Sequence, residues 1–144
     1  MKRMIKGLMV VTLVVAGLVG IAAAQEATRT RVMKIDFDFH VGKQLLSAGE
    51  YEFITVSNSG QHKLIRVREV NSDKQVIVAT IPTRNDQKLD SGSVTFNKYG
   101  DQYFLSALQL GDPGYVQTVV KTSNERDIAK QFTVRRINTQ PSGQ

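Results

Sequence analysis

The chain contains no cysteine, and that one absence excludes more than most of the residues present. Disulfide staples, thiol nucleophiles, cysteine redox chemistry and cysteine zinc sites are all ruled out. So is attachment to a membrane through a lipid-modified N-terminal cysteine. Histidine is nearly as scarce: His40 and His62 are the whole supply. No Gly-x-Ser-x-Gly elbow occurs to present an activated serine, and no glycine-rich loop occurs to cradle a phosphate. A basic stripe with interleaved aromatics, the mark of a nucleic-acid binder, is missing too, so no nucleic-acid partner is expected. No internal repeat is evident.

The first residues read as an address. Lys2, Arg3 and Lys6 are followed by an uncharged, mostly apolar run from Gly7 to Ala24 that ends in Ala22-Ala23-Ala24. A basic start, an apolar stretch and small residues before a polar successor describe a secretory signal peptide. Cleavage after Ala24 is expected, leaving residues 25–144 in the periplasm or the medium. The competing reading is an uncleaved anchor, since 18 uncharged residues lie at the lower limit for crossing a bilayer. Loss of the leader's three cations takes the net charge from +6 to +3. Such a balance suits solubility and weak contact with an anionic envelope surface. A mature chain of this length suits one domain, which must bury enough apolar surface without disulfide help.

What remains is organised around Met33-Lys34-Ile35-Asp36-Phe37-Asp38-Phe39-His40-Val41. Odd positions are apolar and even ones polar, the period-two signature of a strand with one dry and one wet face. Gly42-Lys43 turns the chain, Gly49 is a candidate for a backbone conformation closed to side chains, and Tyr51 to Val56 forms a second run. Asn58-Ser59-Gly60 has turn chemistry before Lys63 to Val70, and Asn71 to Lys74 makes a tight connection to Gln75–Ile81. That fourth run is apolar on both faces and reads as the most buried strand, ended by Pro82. Ser93 to Asn97 and Gln102 to Leu108 read as a hairpin around Lys98-Tyr99-Gly100-Asp101.

The period changes at Thr122-Ser123-Asn124-Glu125, which fits a capping box: the Thr122 hydroxyl and the Glu125 carboxylate each serve the other's free backbone N–H. A short helix to about Lys130 follows, with Ile128 and Phe132 on one face. Gln131 to Asn138 suits a last strand. The expected fold is all-β, an antiparallel β sandwich or small open barrel of six to eight strands with one short C-terminal helix. Residues 25–138 form the single domain, and residues 139–144 a disordered tail.

Several phrases carry a resemblance: Phe37-Asp38-Phe39-His40-Val41-Gly42, Leu46-Ser47-Ala48-Gly49-Glu50-Tyr51, Phe96-Asn97-Lys98-Tyr99-Gly100-Asp101-Gln102-Tyr103-Phe104-Leu105-Ser106, and Ser123-Asn124-Glu125-Arg126. Over most of the mature chain the sequence resembles a group of small exported bacterial proteins with recurrent "L-P-A-G-E-Y" and "F-N-x-Y-G-D-x-Y-F-L" phrases. Ser47 stands where that group usually has proline. The group carries no assigned activity, so the resemblance implies an architecture and no site.

Candidate chemistry is sparse. Asp36, Asp38 and His40 share the polar face of the first strand, and two carboxylates with an imidazole suit a divalent metal. Against this, a wet face needs polar residues anyway, and a structural site normally takes four ligands. Glu50 and Glu52 lie on one face, more simply a solvated edge than an acid–base pair. Lys121, Arg126, Lys130, Arg135 and Arg136 concentrate charge that suits anionic lipid or a cell-wall polymer, or else a solvated helix face. Tyr51, Tyr99, Tyr103 and Tyr115 could line a binding surface or sit half-buried in the sheet. No catalytic residue and no cofactor is assigned. The reading these observations favour is a non-catalytic exported binding or envelope protein of unknown partner and oligomeric state. A secreted hydrolase with a shallow site and a small outer-membrane β-barrel are the alternatives.

Overall fold

The computed structural model describes residues 31–59, 62–86, 89–110 and 114–141. The expected leader, residues 1–24, lies outside them. The described chain is all-β with one short helix. In order it forms β1 (Arg31–Ile35), β2 (Phe39–Val41), β3 (Gln44–Leu46), β4 (Gly49–Ser59), β5 (His62–Glu69), β6 (Gln75–Arg84), β7 (Val94–Tyr99), β8 (Gln102–Leu108), β9 (Tyr115–Val119), α1 (Ser123–Ala129) and β10 (Arg135–Thr139). The strands make one open mixed sheet in the order β1-β4-β5-β6-β9-β8-β2-β3, with β7 attached to β8 and β10 to β7. The ten strands exceed the six to eight expected, chiefly because the first alternating run divides in two and β3 is a separate short strand.

That division shapes the molecule. β1 pairs with β4, whereas β2 pairs with β3 and, in parallel, with β8. The two strands therefore lie toward opposite ends of the sheet, yet three residues, Asp36-Phe37-Asp38, separate them. Three residues reach little more than about 10 Å even when extended. The sheet has to curl until its ends meet. The alternation survives the break: Met33, Ile35, Phe39 and Val41 are all buried, with Phe37 packed at the core's margin. Asp38 helps fix the bend by accepting a hydrogen bond from the backbone N–H of Ala48 at 2.8 Å.

Curling brings two wings onto one core. Met33, Ile35, Tyr51, Phe53, Ile65, Val67, Val78 and Val119 come from β1, β4, β5, β6 and β9. Phe39, Val41, Leu46, Val94, Phe96, Leu105 and Leu108 come from β2, β3, β7 and β8. Phe39 is the hinge pin between them: its ring meets Tyr51 edge-on at 5.0 Å and Phe96 at 5.3 Å. Edge-on pairs add to area burial because the positive ring edge meets the negative ring face.

The β7–β8 hairpin forms as expected, tightened to a loop of two residues, since Tyr99 faces Gln102. Gly100 has φ +58°, and a Cβ there would also crowd the Phe132 ring at 3.3 Å. Gly42 takes the same left-handed conformation between β2 and β3. Gly49 does not; it opens β4 in ordinary extended backbone. Asn58 and Ser59 extend β4 rather than turning it, and His62 opens β5.

Two expectations about β6 are overturned. β6 is largely exposed, because no layer among the described residues covers its outer face, where Ile77 and Ile81 meet solvent. It also passes through Pro82, which faces Gln117 of β9, and continues to Arg84. The strand covered on both faces is β7. The chain is ordered past the expected tail boundary as well: Thr139 closes β10 and the Gln140 amide donates to Asp90 at 2.7 Å, while residues 142–144 lie outside the description.

Phe39→Ala removes the ring that both wings share. It should cost about 3–5 kcal/mol, the usual range for deleting a fully buried phenylalanine. Urea unfolding checks this, and a loss below about 1 kcal/mol would mean that the wings do not depend on that contact.

Candidate functional site

The outer face of the β7–β8 wing is divided into a roofed half and an open half. α1 covers the roofed half. Its N-cap is Thr122, whose hydroxyl accepts from the Glu125 N–H at 3.2 Å, as the capping-box spacing predicts. The reciprocal arm is different. Glu125 turns inward instead of back to Thr122, is almost fully buried, and accepts from the Asn97 amide at 3.1 Å and the Tyr99 hydroxyl at 3.3 Å. Lys121 in turn donates to the Tyr99 oxygen at 3.1 Å. A carboxylate held among donors satisfies the rule that buried charge must be paired and hydrogen-bonded.

His40 completes this half. Its ring stacks on Phe104 at 4.5 Å and 13°, beside Tyr99, which meets Phe104 edge-on. Burial lowers the His40 pKa from the ordinary imidazole value, and the Glu125 charge opposes that shift without reversing it. Burial likewise raises Tyr51, reinforced by the charges of Glu69 and Asp38, and its hydroxyl donates to the Ser47 carbonyl at 2.7 Å.

The metal candidates disperse. Asp36 is exposed and pairs with Lys34 at 3.4 Å, Asp38 is committed to Ala48, and the His40 ring stacks on Phe104. Breaking the strand at residues 36–38 removes the common face on which that set relied. Among the described residues no group of three or more histidine, aspartate or glutamate side chains is placed to hold a metal. Glu52 is taken by Arg68 across the β4–β5 pair.

The open half is a groove of about 540 Å³ running across β6, β9, β8, β7 and β10. Cross-strand register explains its floor: Thr118, Ala107, Thr95 and Asn138 follow one another laterally through β9, β8, β7 and β10, and Thr83 faces Val116 where β6 joins. Thr95 donates to the Asn138 side chain at 2.9 Å, tying β7 to β10. Thr83, Ser106 and Val116 widen the bed, and Arg84 and Arg136 stand on its two flanking strands. Of these residues sequence reasoning had singled out only Arg136. The others are short polar side chains on alternate positions, which acquire meaning when the pairing order becomes known.

Comparison with protein-family models, with curated proteins and with solved structures finds no match. The site therefore rests on its own geometry.

Two outcomes are expected. Glu125→Ala strands the Asn97 amide and the Tyr99 hydroxyl beneath α1 and should cost about 2–4 kcal/mol, against about 1 kcal/mol for Thr122→Ala. Hydrogen exchange should show α1 opening before the sheet in the Glu125 variant; uniform protection would mean the helix is held by something else. The second concerns pH. The unfolded imidazole takes its proton at higher pH than the folded one, so the contribution of His40 is complete above its ordinary value and is lost as pH falls through the lowered folded value. Melting temperature should fall as pH drops below the ordinary imidazole range, and His40→Phe should flatten that portion of the curve. An identical slope in the variant would remove His40 as its source.

Proposed function

We propose that the chain is an exported, non-catalytic binding domain whose ligand occupies the groove across β6, β9, β8, β7 and β10. The observation that carries this reading is the lining of the groove: hydroxyls, amides and two arginines, with no carboxylate and no imidazole among its described residues. A hydrolase working by acid–base catalysis needs a titratable pair facing its substrate. Here the buried carboxylate, Glu125, spends its oxygen on Asn97 and Tyr99 under the helix. The resemblance to small exported bacterial proteins agrees with a periplasmic or secreted location after loss of the leader. A water-soluble domain also suits the faces of the sheet better than a lipid-facing barrel does. The interior is filled with apolar side chains, while Lys34, Glu50 and Arg68 point outward.

Native mass spectrometry of the processed protein taken from its own compartment tests the reading. It should carry a non-covalent adduct, and Thr118→Tyr, which fills the groove from its floor, should shed it without changing the fold. A bare wild-type chain, or an adduct that survives the block, would remove the groove as the place of binding.

A further inference from the structure

The geometry points to an acidic saccharide, a hydroxyl-rich chain bearing carboxylate or phosphate groups, as the ligand class of this groove, an inference that rests on the binding reading above. Charge is the first ground. Among the described residues the ionisable groups lining the groove are Arg84 and Arg136, both cationic. Arg136 has no ion pair among the described residues. Arg84 holds Asp86 at 3.3 Å, but both side chains are mostly exposed, so the pair is weak and open to exchange for a ligand anion. A guanidinium offers a planar fork of donors that matches either a carboxylate or a phosphate, which is why arginine rather than lysine suits this task.

Spacing is the second ground. Arg84 lies on β6 and Arg136 on β10, four inter-strand steps apart in the pairing order. At about 4.8 Å per step the two strands stand roughly 19 Å apart along the curved sheet. A compact single anion would not occupy both ends together. An extended ligand with charge at intervals would. Between the arginines, Ser106 and Thr118 present hydroxyls that both donate and accept, the complement of a sugar's hydroxyls, and beside Arg84 the Thr83 hydroxyl, which donates to the Ile81 carbonyl at 3.4 Å, keeps its capacity to accept. Asn85 and Asn138 add amides, and Val116, Ala107 and Leu89 offer apolar surface for the C–H faces of a ring.

The third ground is what the lining omits. No aromatic ring lines the described groove, so an uncharged sugar would have neither stacking nor charge to hold it and would depend on neutral hydrogen bonds of small net worth. The arginines therefore have to supply most of the affinity, and the hydroxyl bed the fit.

Titrating the isotope-labelled exported protein with trigalacturonate and with its methyl ester isolates the charge, because the ester keeps every ring hydroxyl. Trigalacturonate should shift the amides of Thr83, Thr95, Ser106 and Thr118 and weaken about tenfold when salt rises from about 50 to about 300 mM. The ester should bind about tenfold more weakly, as should Arg84→Gln and Arg136→Gln, whose spectra elsewhere should stay unchanged. Galacturonate against galactose 6-phosphate then tells which anion is preferred, either preference upholding the class. An ester that binds as tightly as the acid overturns the acidic ligand and leaves the binding groove standing. No groove shift with acid, ester or sugar phosphate overturns the inference itself, while the adduct experiment separately decides whether the groove binds anything.

Discussion

A covalent constraint governs this molecule: three residues must connect strands that belong at opposite ends of one sheet. Asp36-Phe37-Asp38 can satisfy it only if the sheet curls through the breadth of its pairing order. Once it curls, the dry faces of both wings turn toward each other, and Phe39 fills the space between Tyr51 and Phe96. A flat version of the same pairing would leave Met33, Ile35, Phe39 and Val41 facing water, forfeiting roughly 1.5–3 kcal/mol for each large side chain. The apolar alternation and the short connection are thus one device. Neither would close the fold without the other, and together they let a chain with no disulfide keep a core.

The curl covers the inner faces and leaves the outer ones to be settled locally. On the β7–β8 wing, α1 settles one half. A helix of seven residues is too short to be stable by propensity, so its position depends on what it is tied to. The tie is a carboxylate set between an amide and a phenol that a sheet displays on alternate positions, Asn97 and Tyr99. Polar groups on an outward face become buried because the roof arrives, and the roof stays because those groups need an acceptor. On the β5–β6 wing nothing comparable arrives among the described residues, and Leu64, Ile77 and Ile81 remain exposed.

This division explains which parts of the structure were legible beforehand. The class of fold, the hairpin at Gly100 and the cap at Thr122 depend on residues near one another in the chain, where period and turn chemistry carry the information. The break at Asp38 was hidden because alternation continues straight through it; the residues say which way side chains face and nothing about which neighbour the backbone meets. β6 was misjudged for a related reason. Apolar residues on both faces imply two covering layers only if a second layer exists, and the helix went to β7 instead. The phrases Phe96-Asn97-Lys98-Tyr99 and Ser123-Asn124-Glu125 meet in the roofed half, where Glu125 bonds Asn97 and Tyr99. Its work is architectural, holding α1 to the sheet. The groove gave no signal, since threonines and serines on a wet face look the same whether or not five strands line them up.

The two halves of the wing also differ in what their polarity is free to do. Under α1 the described donors and acceptors are matched to each other: Lys121 to Tyr99, Tyr99 and Asn97 to Glu125, and Glu125's own N–H to Thr122. A closed network of that kind gains rigidity and has little left to offer a ligand. In the groove the side-chain bonds include Thr95 with Asn138, Arg84 with Asp86 and the Thr83 hydroxyl with the Ile81 carbonyl, while the hydroxyls of Ser106 and Thr118 are held in place by their strands. Water bound to a rigid, regularly spaced bed is readily exchanged for a ligand whose hydroxyls reproduce its hydrogen bonds. The helix therefore defines the site by where it stops. One end of the wing is sealed by a buried carboxylate, and the cationic, hydroxyl-lined remainder is the open surface on which the proposed binding role rests.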